Sequence, residues 1–324
     1  MFPAFESGEK KSFPSKILLL GEYGILTGSA AIATPFPLFS GELCLPPKFE
    51  NFKETEFVKK SNTQLRALYN FLILSDIPID FLNLDKLKND IDSGLWFNSD
   101  IPQNYGIGSS GALTAALFNR YAPDKIKKLP LREIRTKMAS VENYFHKTSS
   151  GIDPLVSLIN KPLHFSSSGE ISLIQQNIIP AFTKNKNGKE PGFSIFLVDS
   201  KTPIRTGGLV EWYLKEYQNR DFKHAADTVY IPAINSAVRA LLSCNYSALL
   251  SGIATVSHFQ KQFLTLLILP EFRKHVSHGL TTGDFYLKLC GSGGGGYMLG
   301  FTQNTNRVKE YFSQNQLEIL FLER

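Results

Sequence analysis

At 324 residues with 43% hydrophobic content, the chain can bury a sizeable core and exceeds one typical domain, so two domains are expected. Lys and Arg number 35 against 29 Asp and Glu, a charge of +6 spread over the length; with no arginine-rich run and no basic helix interleaved with aromatics, this argues against a dedicated nucleic-acid surface and suits a small anionic substrate. Three scattered cysteines (Cys44, Cys244 and Cys290) read as reduced thiols, the start lacks a basic and then apolar leader, and no apolar run is long enough to span a bilayer, so a soluble cytoplasmic protein is expected.

Taken in order, residues 15–28 form a short aliphatic run stopped by Gly-Glu-Tyr-Gly and resumed by Ile-Leu. This predicts two buried strands around a tight bend, with Lys16 at a strand start and Glu22 and Tyr23 in the bend. A further strand near Ala30 to Ala33 is expected to end at Pro35. Residues 64–72 carry apolar side chains at helical spacing, and 84–95 form a weaker helical segment.

Residues 101–112 run from a polar loop through glycine and serine into an apolar helix. Gly106 and Gly108 allow close backbone approach, Ser109 and Ser110 are positioned to cap the helix, and a helix start offers N–H donors to an anion. The spacing Gly106-x-Gly108-x-x-Gly111 also satisfies a dinucleotide fingerprint, but Pro102, Gln103 and Asn104 break any strand leading in, and no acidic residue closes a second strand about 20 residues on. A Walker loop is absent from the sequence. A phosphate cradle and a plain glycine-rich helix start both remain open on these residues alone.

A third helix over 131–145 places Ile134, Met138, Val141 and Phe145 on one stripe with Glu142 beside it, late in the helix, where acids are disfavoured. A buried carboxylate there calls for compensation, for example by a metal ion. Asp153 followed by Pro154 marks a helix start with Asp153 as its cap. The polar stretch over 182–192 is the best linker. Beyond it come a strand at 193–199, a turn at 201–208, a helix from about Leu209 and several helical segments over 225–278. His258, His275 and His278, without ligand-spaced partners, read as surface histidines. Finally, strands at 286–290 and 297–301 flank Gly291-Ser292-Gly293-Gly294-Gly295-Gly296. Four consecutive glycines between buried strands are better explained by close approach to a ligand or to the phosphate loop than by folding.

Together these segments resemble the GHMP kinase superfamily over nearly the full length, with residues 16–28, 102–112 and 288–296 as its three motifs in order, and its mevalonate kinase branch through the stretch from Glu142 to Asp153 and the strand and turn ending at Thr206. The resemblance implies an α/β (α+β) fold of two domains: an ATP-binding domain over 1–183, like the second domain of a ribosomal protein, and a ferredoxin-like domain over 184–324. It implies ATP and Mg²⁺ as cofactors, Asp153 as catalytic base with Lys16 beside it, and Ser110 and Glu142 as Mg²⁺ ligands. Nucleotide contacts would come from Pro102, Gly106, Gly108, Ser109, Ser110, Gly111, Thr206, Gly291, Ser292, Gly293 and Gly294, and acceptor contacts from Glu22, Tyr23 and Asp153. The expected partners are ATP and a small alcohol, mevalonate or a relative of it, with neither nucleic acid nor membrane, in a monomer or homodimer. Tyr23 stands where mevalonate kinases usually carry histidine, Gly111 where alanine is commoner, and Lys147 and Ser149 replace glycine and proline.

Overall fold

The computed structural model describes residues 12–47, 55–146, 148–175, 193–204 and 208–322. They fall into two compact units: the first draws on the described residues of Met1–Lys16, Pro35–Pro102 and Gly108–Lys161, the second on those of Ile17–Thr34, Gln103–Ile107 and Pro162–Arg324. The boundary expected at residues 183/184 lies outside the described residues, and the units are interleaved in sequence.

Two strands pass from one unit into the other, β1 (Phe13–Leu20) and, beside it, β2 (Ala31–Cys44). All eight residues of β1 are buried, the aliphatic run Ile17 to Leu20 as expected and Ser15 and Lys16 with it. The segment resuming at Ile25 is not a strand: Gly24–Thr27 is a single 3₁₀ turn. β2 does not stop at Pro35 either. Pro35 and Pro37 fall between the part of β2 paired with β4, Ala31 to Ala33, and the part paired with β3, Gly41 to Cys44, so neither proline interrupts those ladders.

In the first unit, α1 (Glu56–Leu74) begins earlier than its apolar pattern, at a Thr55 cap, and buries Val58, Leu65, Leu68 and Leu72. α2 (Leu84–Asp92), capped by Asn83, leads to β3 (Trp96–Ser99), and α3 (Ser109–Tyr121) follows the glycine loop. Asp90 of α2 takes Arg120 and Tyr121 of α3 at 2.8 Å each, which ties the two helices together. After the single turn α4 (Asp124–Lys127), α5 (Leu131–His146) and α6 (Ile152–Ile159) pack with α3 into one layer. Ile134, Met138 and Val141 bury the α5 stripe, while Phe145 at its end is 38% exposed.

In the second unit, β4 (Leu163–Phe165) pairs with β2 and with β5 (Ile171–Leu173). A separate antiparallel sheet in the order β7-β8-β6-β9 is made of β6 (Ser194–Asp199), β7 (Tyr286–Leu289), β8 (Tyr297–Thr302) and β9 (Ile319–Phe321). The helices α7 (Leu209–Glu216), α8 (Arg220–Ala225), α9 (Ile231–Leu242), α10 (Tyr246–Phe263), α11 (Arg273–Thr282) and α12 (Thr305–Gln314) belong to the same unit, with a π-helical turn, Ala226–Tyr230, between α8 and α9. The mixed helix-and-sheet class is as the sequence predicts. His275 is a correction: it is 3% exposed, its Nδ1 lies 2.9 Å from the Tyr311 hydroxyl, and burial lowers its pKa to about 4. Among the described residues no helix is long and apolar enough to cross a membrane.

Candidate active site

The functional side chains of the first unit converge where α3, α5 and α6 meet β1. Ser109 and Ser110 do not cap α3: the N-cap is Gly108, in the left-handed conformation at φ 83°, and the two serines are the first helical residues. This frees the Ser110 hydroxyl for a longer reach. It donates to Glu142 Oε1 at 3.1 Å and lies 2.9 Å from His146 Nε2. With the single hydroxyl proton directed to Glu142, the Ser110 oxygen is left to accept from the Nε2–H tautomer of His146, a side chain whose pKa is lowered by partial desolvation.

Glu142 is 3% exposed, and its pKa is pushed up to about 8, first by burial and then by the nearby charge of Asp153. Ser149 donates a short hydrogen bond to its other carboxylate oxygen, and the Ser149 hydroxyl accepts from the Gly151 amide at 2.9 Å. Both oxygens of a buried acid are thus met by hydroxyls, and hydroxyl and carboxylate oxygens are the hard donors that a divalent cation takes. Among the described residues there is no cluster of three or more His, Cys, Asp or Glu fit to hold a metal. A cation here would complete its coordination from bound phosphate oxygens, and the donor set fits that requirement.

Asp153 is not the cap of α6. That position is Gly151, at φ 69°, and Asp153 is the second helical residue. Its carboxylate is engaged by Lys16 instead, Nζ to Oδ2 at 3.0 Å. Lys16, 3% exposed, is no solvated strand end, whereas the Asp153 side chain keeps 29% exposure. Gly111 sets how closely α3 meets α6, since a Cβ added there would lie 2.7 Å from Asp153 Cβ and 2.9 Å from its carbonyl carbon.

The other predicted residues belong to the second unit. The Glu22 carboxylate is buried and paired with Lys288, whose side chain is fully buried and also donates to the Leu289 carbonyl at 2.8 Å. The Tyr23 hydroxyl donates to the Ser292 carbonyl at 2.5 Å. Gly106 meets the glycine loop backbone to backbone, where a Cβ on it would lie 2.5 Å from the Cys290 carbonyl oxygen. Gly294 N–H donates to the Leu267 carbonyl and Gly296 N–H to the Thr202 carbonyl, both at 2.7 Å. Close approach between backbones, including that of the lead-in to the phosphate loop, therefore accounts for glycines in residues 291–296. Thr206 and Lys147 lie outside the described residues.

Three participants escaped the sequence reading. His146 sits four residues after Glu142 and so shares its helix face, a legible signal. Lys288, a lone charge inside an apolar strand, was another. Ser149 left no signal, because its approach to Glu142 depends on the turn between α5 and α6.

Residues 75–161 match the family described as GHMP kinases N terminal domain. A curated mevalonate kinase from Thermococcus onnurineus (strain NA1) is 28% identical over 170 residues, 48% of this chain and half of that relative's length. Among solved structures, the L. major mevalonate kinase in complex with R-mevalonate matches 98% of this chain and 96% of its own with a TM-score of 0.65 at 17% identity. A Streptococcus pneumoniae phosphomevalonate kinase matches 96% and 97% with a TM-score of 0.59 at 15% identity. The fold is shared with these solved kinases. Over residues 75–161 and in its fold the chain is similar to the GHMP kinases, mevalonate kinases among them.

Proposed function

We propose that the protein transfers the γ-phosphoryl group of ATP to an alcohol, and that the alcohol is the primary hydroxyl of mevalonate. The observation that carries the reading is the buried Lys16 holding a partly exposed Asp153 beside the Ser110–Glu142 pair at the start of α3. Phosphoryl transfer needs positioning and charge neutralisation more than covalent help. Lys16 orients the Asp153 carboxylate, which accepts the alcohol proton as the oxygen attacks. Gly108 and the first amides of α3 present donors to the phosphates. Ser110 and Glu142 are the residues that would hold Mg²⁺, which when bound neutralises phosphate charge.

Mevalonate is favoured by the curated relative and by the Glu142 and Asp153 pairing. Phosphomevalonate is the second candidate, because the motif Gly21-Glu22-Tyr23 departs from the Gly-Glu-His usual in mevalonate kinases, a branch marker and not an acceptor contact. Purified protein incubated with ATP and, in turn, mevalonate, phosphomevalonate, galactose and homoserine should release ADP with mevalonate above the others. Turnover of phosphomevalonate alone would replace the acceptor, and turnover of none would remove the kinase reading.

A further inference from the structure

Tyr23 occupies a backbone position that non-glycine residues rarely adopt. Its φ of 59° with ψ of −45° lies outside even the left-handed well that asparagine and glycine use. Such conformations persist where surrounding contacts over-determine them. Here the ring rests on Tyr213 with centroids 4.9 Å apart, and the residue is 5% exposed. The peptide before it is fixed as well, since the Glu22 carbonyl accepts from the Tyr230 hydroxyl at 2.9 Å and from the Gly24 amide at 2.6 Å.

Behind the bend the hydrogen bonds close into a circuit. Glu22 pairs with Lys288, the next residue's amide (Leu289) donates to Gln260 Oε1 at 2.8 Å, Gln260 Nε2 donates to the Tyr230 hydroxyl at 2.9 Å, and Tyr230 returns to Glu22. Every side chain in this circuit is buried. From that anchored bend a single phenol reaches the glycine loop, where it meets the Ser292 carbonyl. A hydroxyl committed in this way, on a buried ring, is poorly placed to read an acceptor alcohol.

We propose that Tyr23 is a positioning residue for residues 291–296: its phenol holds the Ser292 carbonyl against the Glu22–Lys288 circuit, and the ligand whose binding it governs is the nucleotide, not the acceptor. The nucleotide's identity rests on the kinase reading above; the hold on the loop does not.

The experiment compares the full chain with Tyr23→Phe, which keeps the ring and removes the donor. Hydrogen exchange followed by mass spectrometry should show the protected amides of Gly294 and Gly296 exchanging about fivefold faster, the loss of one net hydrogen bond, with the melting transition retained. In the same variant KM for ATP should rise about fivefold or more while KM for the acceptor stays within twofold. Tyr213→Phe, which loses only the 3.0 Å contact of its hydroxyl with Thr27, is the control and should leave the loop's exchange unchanged. Unchanged loop exchange in Tyr23→Phe, equal acceleration in the control, or a rise in acceptor KM without one for ATP would each overturn the proposal. Should wild type turn over no alcohol, the kinase reading fails by itself and the exchange arm still decides whether Tyr23 holds the loop.

Discussion

Two lysine–carboxylate pairs carry the same chemistry into different surroundings. Lys16–Asp153 in the first unit and Lys288–Glu22 in the second each bury the lysine to 3% or less, but Asp153 retains 29% exposure where Glu22 retains 2%. In the sealed pair each partner compensates the other, and removing one leaves a buried charge alone. In the open pair the lysine is buried while the carboxylate stays partly exposed to solvent. One arrangement is suited to holding a fold and the other to moving a proton.

The largest effects should break the open pair. Asp153→Asn keeps the shape and removes the proton acceptor, so kcat should fall by about 10³-fold, within the range for loss of a positioned base, while nucleotide affinity changes little. Near-wild-type turnover would remove Asp153 from the chemistry. Lys16→Met should lower kcat by about 10²-fold with a smaller loss of stability than the corresponding change in the sealed pair, because the freed Asp153 carboxylate still reaches water.

The sealed pair should respond the other way round. Lys288→Met strands Glu22 in the core, and breaking a buried pair costs about 3 to 5 kcal/mol, which for a chain of this size lowers the melting temperature by roughly 10 °C. Adding Glu22→Gln should recover part of the loss, since the unpaired charge goes with it. Urea unfolding of the single and double variants measures this, and a double variant as unstable as the sum of the singles would show that the two residues act independently.

How much of this contrast was legible in the sequence depends on where each partner came from. Glu142 stood out as an acid late in a helix, and that incongruity remains in three dimensions, whereas Lys16 read as a strand start and Asp153 as a cap until the resemblance gave them roles. The caps of α3 and α6 were misread because serine and aspartate are good cap residues, whereas left-handed glycines, Gly108 and Gly151, took both positions and left the polar side chains for the site. The partnership of Glu22 with Lys288 spans 266 residues, and no local pattern encodes it. Pro35 misled for a similar reason: whether a proline ends a strand depends on which stretches of that strand are paired, a tertiary matter.

Glu142 tests a third situation, a buried carboxylate facing hydroxyls instead of a lysine. Its pKa rises from 4.5 to about 8, chiefly through burial. A carboxyl raised in the folded state gives stability that is full below the unfolded value and is lost as pH climbs through the folded one. In the absence of divalent cations the urea midpoint should therefore fall between pH 5 and 8, and Glu142→Gln should flatten that slope. In kinetic assays the same variant should require about tenfold more Mg²⁺ for half-maximal rate, as expected when an oxygen ligand is replaced by a weaker one. A pH slope unchanged by the substitution would mean that other groups carry it.

The smallest expected effect concerns the distance between α3 and the open pair. Alanine at position 111 should favour α3 by about 1 kcal/mol through helix propensity alone, yet its Cβ would stand 2.7 Å from Asp153 Cβ and 2.9 Å from the Asp153 carbonyl carbon. Part of what it meets is backbone, so the start of α6 must move and carry Asp153 with it relative to Lys16. A misplacement of about 1 Å at a reacting group can cost about 100-fold in rate, so a smaller shift in Gly111→Ala should reduce kcat by about tenfold while leaving the melting temperature close to that of wild type. A melting temperature raised by the helix term with kcat retained would show that the α3–α6 contact relaxes without displacing the carboxylate. The geometry of the open pair would then be set by Lys16 and β1 and not by the helix packing beneath Asp153.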